Sequence, residues 1–258
     1  MKRSSITIAK STQDFLPLRD IFLKELNRQF VHYSYHERGW ADVFTFHDEG
    51  SLAGYGALYG NGAREKRDTV FEFYLTEAYR PAAQEIFGEF LRASKATAIA
   101  SQTNDVLLAS LVKKSATDIK AEAILFEDNR ETDLKIPDVI FRKAKDTDKI
   151  FEHTLEPVGP YVVEWGSEVV ATGGFLLHYN FPFADLFMEV RQDVRGRGLA
   201  GFLLQEIKKE CYRAGRVPAA RCNPDNTASK NALLKAGLKE CGHLLKGKVH
   251  ITKGQKID

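Results

Sequence analysis

The chain has 258 residues and 43% hydrophobic composition, enough for one large domain or two small ones with separate cores. Positively and negatively charged residues are nearly equal in number, which leaves a formal net charge of +2. This balance gives no reason to expect a nucleic acid or membrane partner. No stretch approaches the roughly 18 apolar residues of a membrane span, and the basic start lacks a secretory apolar run. We expect a cytoplasmic protein. Its cysteines, Cys211, Cys222 and Cys241, are expected to be free thiols, and no metal site is expected.

The first half of the sequence alternates between helix-like and strand-like segments. Apolar residues at helical spacing predict an amphipathic helix over 13–30. Alternating residues then predict a hairpin of strands 42–46 and 52–59, followed by a polar loop over 61–68. The elements predicted next are strand 69–75, helix 81–93, strand 97–101, helix 105–115 and strand 121–126.

The polar segment 127–137 ends in proline and is the best candidate linker. After it, residues 144–152 are predicted to form one short helix. The remaining predicted elements are strands 161–164, 169–177 and 184–190, helix 198–214, strand 218–222, helix 227–236 and a strand near 244–251.

The two halves follow the same pattern. Residues 71–92 align with residues 186–207 as strand, polar turn and amphipathic helix, and Arg80 falls on Arg195. We therefore favour two copies of one fold, with domains at 1–128 and 138–258. The alternative is two unrelated α/β segments that share a periodicity.

One glycine-rich turn carries the clearest chemical signal. Arg195-Gly-Arg-Gly-Leu-Ala200 follows a strand and opens a long helix. The first turn of a helix leaves unpaired N–H groups at the positive end of its dipole, where phosphate oxygens bind. Gly196 and Gly198 let the backbone approach an anion closely, and Arg197 adds charge. The turn therefore predicts an anion site.

Two other phosphate-binding motifs were weighed for this turn. Residues 196–201 satisfy G-x-G-x-x-G, but the preceding strand closes a run of hairpins, whereas a dinucleotide site uses a parallel βαβ unit. A P-loop is excluded because no G-K-[ST] follows.

The turn instead resembles the pyrophosphate loop of the GNAT superfamily of N-acyltransferases, R/Q-x-x-G-x-G/A, with Arg195, Gly198 and Ala200 in the motif positions. The segment 223–238 resembles the family's downstream pattern of asparagine, short helix and K-x-G, with Asn226 and Gly237 at the usual spacing. The resemblance covers 139–250 well and the first half weakly.

This resemblance implies an α/β (α+β) fold in tandem, with mixed, mostly antiparallel sheets flanked by helices. It also implies acetyl-CoA as co-substrate. The residues implied to bind it are Val190 and neighbours along the pantetheine arm, the amides of Arg195, Gly196, Arg197, Gly198, Leu199 and Ala200 around the pyrophosphate, and Asn226 with Ser229. Asn226 has a second interpretation as a helix N-cap, which is compatible with binding.

Two departures from the family pattern bear on catalysis. Many relatives have an acidic tyrosine seven residues after the asparagine, where this chain has Leu233. The first half lacks both glycines of the loop, and Pro81 removes a backbone N–H there. We therefore predict that the first copy binds no coenzyme A.

Amine acylation needs a proton acceptor, and strand 184–190 leads to the glycine-rich turn at 195–200. Glu189 is the first candidate base and Asp185 the second, both on one face of that strand. Tyr179 is a candidate replacement acid, and His178 a candidate substrate residue. For each, the alternative is a purely structural side chain.

An aromatic-rich segment in the first half is a candidate acceptor surface, through Tyr33, Tyr35 and Trp40. The alternative is that these aromatic residues only pack against one another.

The favoured function is transfer of an acetyl group to a primary amine of a small molecule or peptide. A non-catalytic acyl-CoA sensor is the second hypothesis and an inert scaffold the third. The acceptor and the oligomeric state stay open.

Overall fold

The computed structural model describes residues 4–60 and 66–250. They divide into two compact units. The first holds the described residues up to Glu122 and those from His243 onwards, and the second is Ala123–Gly242. This division differs from the predicted ranges 1–128 and 138–258, because the final strand pairs within the first unit.

Most predicted elements of the first unit are confirmed, with small shifts of their ends. The strands are β1 (Ser4–Ile8), β2 (Ala41–Asp48), β3 (Ser51–Gly60), β4 (Arg67–Leu75) and β5 (Ala98–Gln102). The helices are α1 (Leu16–Leu26), α2 (Ser34–Glu37), α3 (Ala83–Ser94) and α4 (Val106–Ser115). Residues 61–65 of the predicted polar loop lie outside the described residues.

Two long strands contribute to both units. They are β6 (Ala116–Asp128) and β12 (Leu238–Val249). In the first unit, β1 to β4 pair antiparallel in chain order, β4 pairs parallel with β5, and β5 pairs antiparallel with residues 244–248 of β12. The neighbour of β5 in this sheet therefore comes from residues 244–248, far along the sequence.

The first unit has apolar clusters on both faces of its sheet. One contains Phe73 and Phe90 and includes α3 and α4, and the other contains Phe22, Phe30 and Phe71 and includes α1. All five rings are buried.

Phe71 and Phe73 are two residues apart on β4 but belong to different clusters, because the β3–β4 register shifts between Ala57 and Leu58. The sequence of β4 therefore lacks a clean alternation.

The second unit contains β7 (Val139–Lys143), β8 (Tyr161–Trp165), β9 (Glu168–Leu176), β10 (Phe183–Val190), α5 (Leu199–Arg213), β11 (Val217–Cys222) and α6 (Thr227–Lys235). Its sheet order is β6-β11-β10-β9-β8-β7, and within it only the β10–β11 pairing of described residues is parallel. The inner face packs on α5 through Leu203 and Ile207. Each unit is thus a mixed, mostly antiparallel sheet flanked by helices, as predicted.

Two predictions for the second unit were wrong. Residues 144–152 form no helix, because Asp148 accepts the Lys145 N–H at 2.7 Å and pairs with Arg142, which holds a turn. The segment 127–137 is not a loose linker, because Leu134 exchanges hydrogen bonds with the Gln205 side chain of α5. Strand β7 was not predicted. Across the described residues, no helix has the length and apolar character needed to span a bilayer.

Candidate functional site

The glycine-rich turn links β10 to α5, as the sequence predicts. After Val190 the chain makes one short 3-10 turn, and Gly198 is the N-cap of α5. Gly196 and Gly198 have φ of +82° and +85°, values that non-glycine residues rarely adopt. A Cβ on Gly196 would meet no atom within 4 Å, so the turn is open to an approaching group. We call residues 195–200 the donor loop.

The side chains of the donor loop leave its backbone accessible. Arg195 donates from Nε to the Val190 carbonyl at 2.9 Å, and its side chain is 48% exposed. The Arg197 guanidinium lies over the Trp165 ring, 5.1 Å from its centroid. Leu199 is buried in the core and anchors the start of α5. Helix-start amides and two arginines together form a site suited to a diphosphate.

Beside the donor loop, β10 and β11 diverge. Their parallel pairing covers only Phe183–Asp185 against Val217–Ala219, although β11 continues to Cys222 beside its other neighbour, β6. The backbone of β10 from Leu186 to Val190 is therefore not paired with β11. At about 3.3 Å per residue, this stretch offers some 16 Å of edge on which an extended, amide-containing arm can hydrogen-bond.

The second motif sits at the start of α6. Asn226 is its N-cap, and Asn226 Oδ1 accepts the Ser229 N–H at 3.0 Å, so the capping interpretation is confirmed. Its binding role stays a prediction. Leu233 is buried in the core. Gly237 has a φ of +90°, and a Cβ there would lie 2.3 Å from the Arg130 carbonyl oxygen, so this glycine is required for packing.

The two faces of β10 differ as the strand period predicts. Ala184, Leu186 and Val190 belong to the core, so Asp185 and Glu189 lie on the opposite face. That face is covered in part by residues 150–160, an irregular segment that we call the strap. The sequence did not predict this arrangement, because the strap has no hydrophobic periodicity.

Glu189 is fully engaged beneath the strap. Its carboxylate accepts hydrogen bonds from the backbone N–H groups of Thr154, Leu155 and Glu156, at 2.9 to 3.1 Å. Burial raises the pKa of Glu189, but these hydrogen bonds outweigh it and lower the pKa to about 2. A carboxylate that stays ionised to such low pH is a weak proton acceptor. This argues against the predicted role of Glu189 as general base.

A second polar cluster surrounds Asp185, where β10 and β11 begin to diverge. His178 Nε2 lies 3.0 Å from Asp185 Oδ2, and Arg221 Nε lies 3.6 Å from the same oxygen. Burial raises the pKa of Tyr179 well above 10, and the Asp185 carboxylate adds to the effect. Among described residues, neither Tyr179 Oη nor Asp185 Oδ1 has a hydrogen-bond partner. The structure thus brings His178, Tyr179 and Asp185 together, with Arg221, which sequence reasoning missed.

The first unit repeats this framework without the glycine turn. Arg80 Nε donates to the Leu75 carbonyl at 3.1 Å, as Arg195 does to Val190. Here a 3-10 helix containing Pro81 replaces the glycine turn, and Arg80 is paired with Glu25. These features support the prediction that the first copy binds no coenzyme A.

The aromatic candidates lie in the first unit. The Tyr35 ring packs against Tyr59, Phe71 and Trp40, at centroid distances of 5.0, 5.6 and 5.6 Å. Tyr33 lies under the Arg19 guanidinium, 4.7 Å from its ring centroid. These contacts are packing contacts, and an acceptor role for Tyr33, Tyr35 and Trp40 stays a prediction.

Comparison with known proteins defines the class. A family profile described as "Acetyltransferase (GNAT) domain" matches residues 11–129, and one described as "Acetyltransferase (GNAT) family" matches residues 124–238. The chain therefore belongs to the GNAT family of acetyltransferases, with two GNAT domains in tandem. No curated protein matches the chain in sequence.

Solved structures share the fold at low identity. A GNAT-family acetyltransferase from Colwellia psychrerythraea is 15% identical with a TM-score of 0.73, covering 95% of this chain and 100% of its own. A GCN5-related N-acetyltransferase from Sphaerobacter thermophilus is 12% identical with a TM-score of 0.60, covering 97% of each chain. A tandem GNAT protein from the clavulanic acid biosynthesis pathway is 8% identical with a TM-score of 0.55, covering 97% of this chain and 100% of its own.

Proposed function

We propose that the second unit transfers an acetyl group from acetyl-CoA to the primary amine of an acceptor, directly in a ternary complex. The observation that carries the proposal is the donor loop beside the diverging edge of β10. Gly196 and Gly198 hold left-handed conformations at the start of α5, where unpaired helix amides can bind an anion. An acyl donor whose diphosphate binds there can extend along β10 towards Asp185.

We propose that His178, held by Asp185, accepts the proton of the attacking amine in place of Glu189. The amine nitrogen bonds to the thioester carbon, the carbon–sulfur bond breaks, and the thiolate leaves. The His178–Asp185 contact of 3.0 Å orients the imidazole, and histidine is the residue type that exchanges protons near neutral pH. Tyr179 stays protonated at neutral pH and keeps its proposed role as donor to the thiolate.

The transferase is tested by thiol release from acetyl-CoA across a panel of amines and peptides, with Gly198→Asp as the control variant. Acceptor-dependent release that Gly198→Asp abolishes supports the proposal and defines the acceptor class. No release, with coenzyme A still raising the melting temperature, points to a sensor. No release and no shift contradicts a donor site.

The proton acceptor is tested with His178→Gln, and His47→Gln in the first unit is the control. We expect His178→Gln to lower kcat by roughly 10²–10⁴-fold with an unchanged KM for acetyl-CoA. A kcat that matches that of His47→Gln contradicts the assignment.

The sensor remains the second candidate, because Leu233 is buried where many relatives have an acidic tyrosine. A sensor would bind coenzyme A but would transfer no acetyl group to any amine of the panel.

A further inference from the structure

The Glu189 carboxylate binds the strap through four hydrogen bonds. Oε1 accepts from the N–H and the Oγ1–H of Thr154, both at 3.1 Å. Oε2 accepts from the N–H groups of Leu155 at 3.0 Å and Glu156 at 2.9 Å. Three consecutive backbone donors thus converge on one buried side chain, which leaves that side chain no free role as a proton shuttle.

The strap has a second anchor directly beside the first. Thr172 on β9 is the cross-strand partner of Glu189 on β10. Thr172 Oγ1 accepts the Gly159 N–H at 3.1 Å and lies 3.2 Å from His153 Nε2. A Cβ on Gly159 would lie 2.1 Å from the Gly173 carbonyl oxygen, so the strap lies directly against β9.

Beyond these anchors, the Phe151 and His153 rings stack at a centroid distance of 4.6 Å, and His153 Nδ1 lies 3.5 Å from Glu189 Oε2. The Pro160 carbonyl accepts the Ala144 N–H at 2.9 Å.

The strap has no helix or strand of its own, and the side chains of Thr154, Leu155 and Glu156 are exposed. Its position therefore depends strongly on its polar anchors. The strap covers the face of β10 that also carries Asp185. Its position therefore affects the shape of the site beside the proposed reaction centre.

The same carboxylate also contacts the donor loop. Arg195 Nη2 lies 3.7 Å from Glu189 Oε1, and Arg195 is the first residue of the loop. An anion bound at the loop competes for this exposed guanidinium. When the Arg195 guanidinium turns towards the bound anion, it interacts less with Glu189 Oε1. That oxygen can then accept the two hydrogen bonds from Thr154 more strongly.

From these contacts we infer that Glu189 is a positioning residue that couples the donor loop to the strap, so that coenzyme A binding tightens the strap before the acceptor binds. The inference rests on the proposed function, because it takes the donor loop as the coenzyme A site. It replaces a proton-transfer role of Glu189 with a positioning role.

The test measures amide hydrogen exchange of a peptide covering 150–160, with and without coenzyme A. In the wild type we expect coenzyme A to slow exchange there by at least about threefold. In Glu189→Gln we expect faster exchange in the absence of ligand and no further slowing with coenzyme A. The matched control is Glu164→Gln on β8, which alters a carboxylate paired with Arg142 of β7 and should behave as wild type.

Steady-state kinetics provide the second readout. We expect Glu189→Gln to raise the acceptor KM about tenfold or more, with kcat within a few-fold and an unchanged pH profile. A large fall in kcat with a changed pH profile overturns the inference in favour of a base. Thr172→Val, which removes the other anchor, should loosen the strap but leave its response to coenzyme A intact.

The outcomes separate this inference from the proposed function. Coenzyme A that raises the melting temperature without changing exchange of the strap overturns the coupling alone. Coenzyme A that fails to raise the melting temperature overturns both proposals.

Discussion

Replacing Gly198 by alanine is expected to weaken coenzyme A binding as well as folding stability. With a φ of +85°, Gly198 holds a left-handed conformation that costs another residue about 1–2 kcal/mol. The new Cβ would lie 3.7 Å from Ile136 Cδ1, an ordinary contact, so backbone strain is the main cost to folding. The control is Gly166→Ala in the β8–β9 turn, where φ is +58° and a Cβ meets no atom within 4 Å.

Both variants should lose about 1–2 kcal/mol in chemical denaturation. Only Gly198→Ala should bind coenzyme A more weakly, because its strain relaxes by tilting the amides that we propose hold the diphosphate. If the same free energy is lost from binding, Kd rises about 5- to 30-fold in isothermal titration. Equal coenzyme A affinity in the two variants would refute this account of the donor loop.

Further predictions concern single buried or capping side chains. Burial raises the pKa of Asp105 to about 7, above the roughly 3.9 of an unfolded chain, so stability is lost as pH rises through that range. Asp105→Asn keeps the cap of α4 and should gain up to about 4 kcal/mol over wild type between pH 4 and 8 in urea denaturation. Lys208→Met removes a buried ammonium that pairs with Asp128 and donates to the Arg130 and Ala236 carbonyls, and it should cost about 3–5 kcal/mol in thermal denaturation. Lys209→Met, in an exposed pair, should change little. Asn226→Asp should keep the cap of α6 and its stability, yet weaken coenzyme A binding in titration, because the amide donor is lost.

The donor loop and its helix could be predicted because their signals are local. Glycine spacing, the preceding strand and the amphipathic pattern all lie within 184–214. The face shared by Asp185 and Glu189 follows from the strand period alone. The tandem repeat was also visible in the sequence, and the matching arginine contacts of Arg80 and Arg195 support it.

The role of Glu189 could not be predicted, because its partners lie 33 to 35 residues away in an irregular segment. A strand pattern shows which face a glutamate occupies but not what covers that face. The pairing of β12 with β5 was equally invisible, because more than a hundred residues separate the two strands. A hydrophobic pattern indicates that a segment forms a strand, but it does not show which other strand that segment pairs with.

The route of the chain through its two units also sets the order in which they can be finished. The first unit ends its main run at Glu122 but obtains a strand from residues after His243. At the usual 5–20 residues per second, a ribosome needs roughly 6 to 25 seconds to cover that gap. During this interval the edge of β5 lacks its native neighbour, and an open edge is a template for pairing with other chains. Nascent chains are therefore most exposed to misassembly while the second domain is being made.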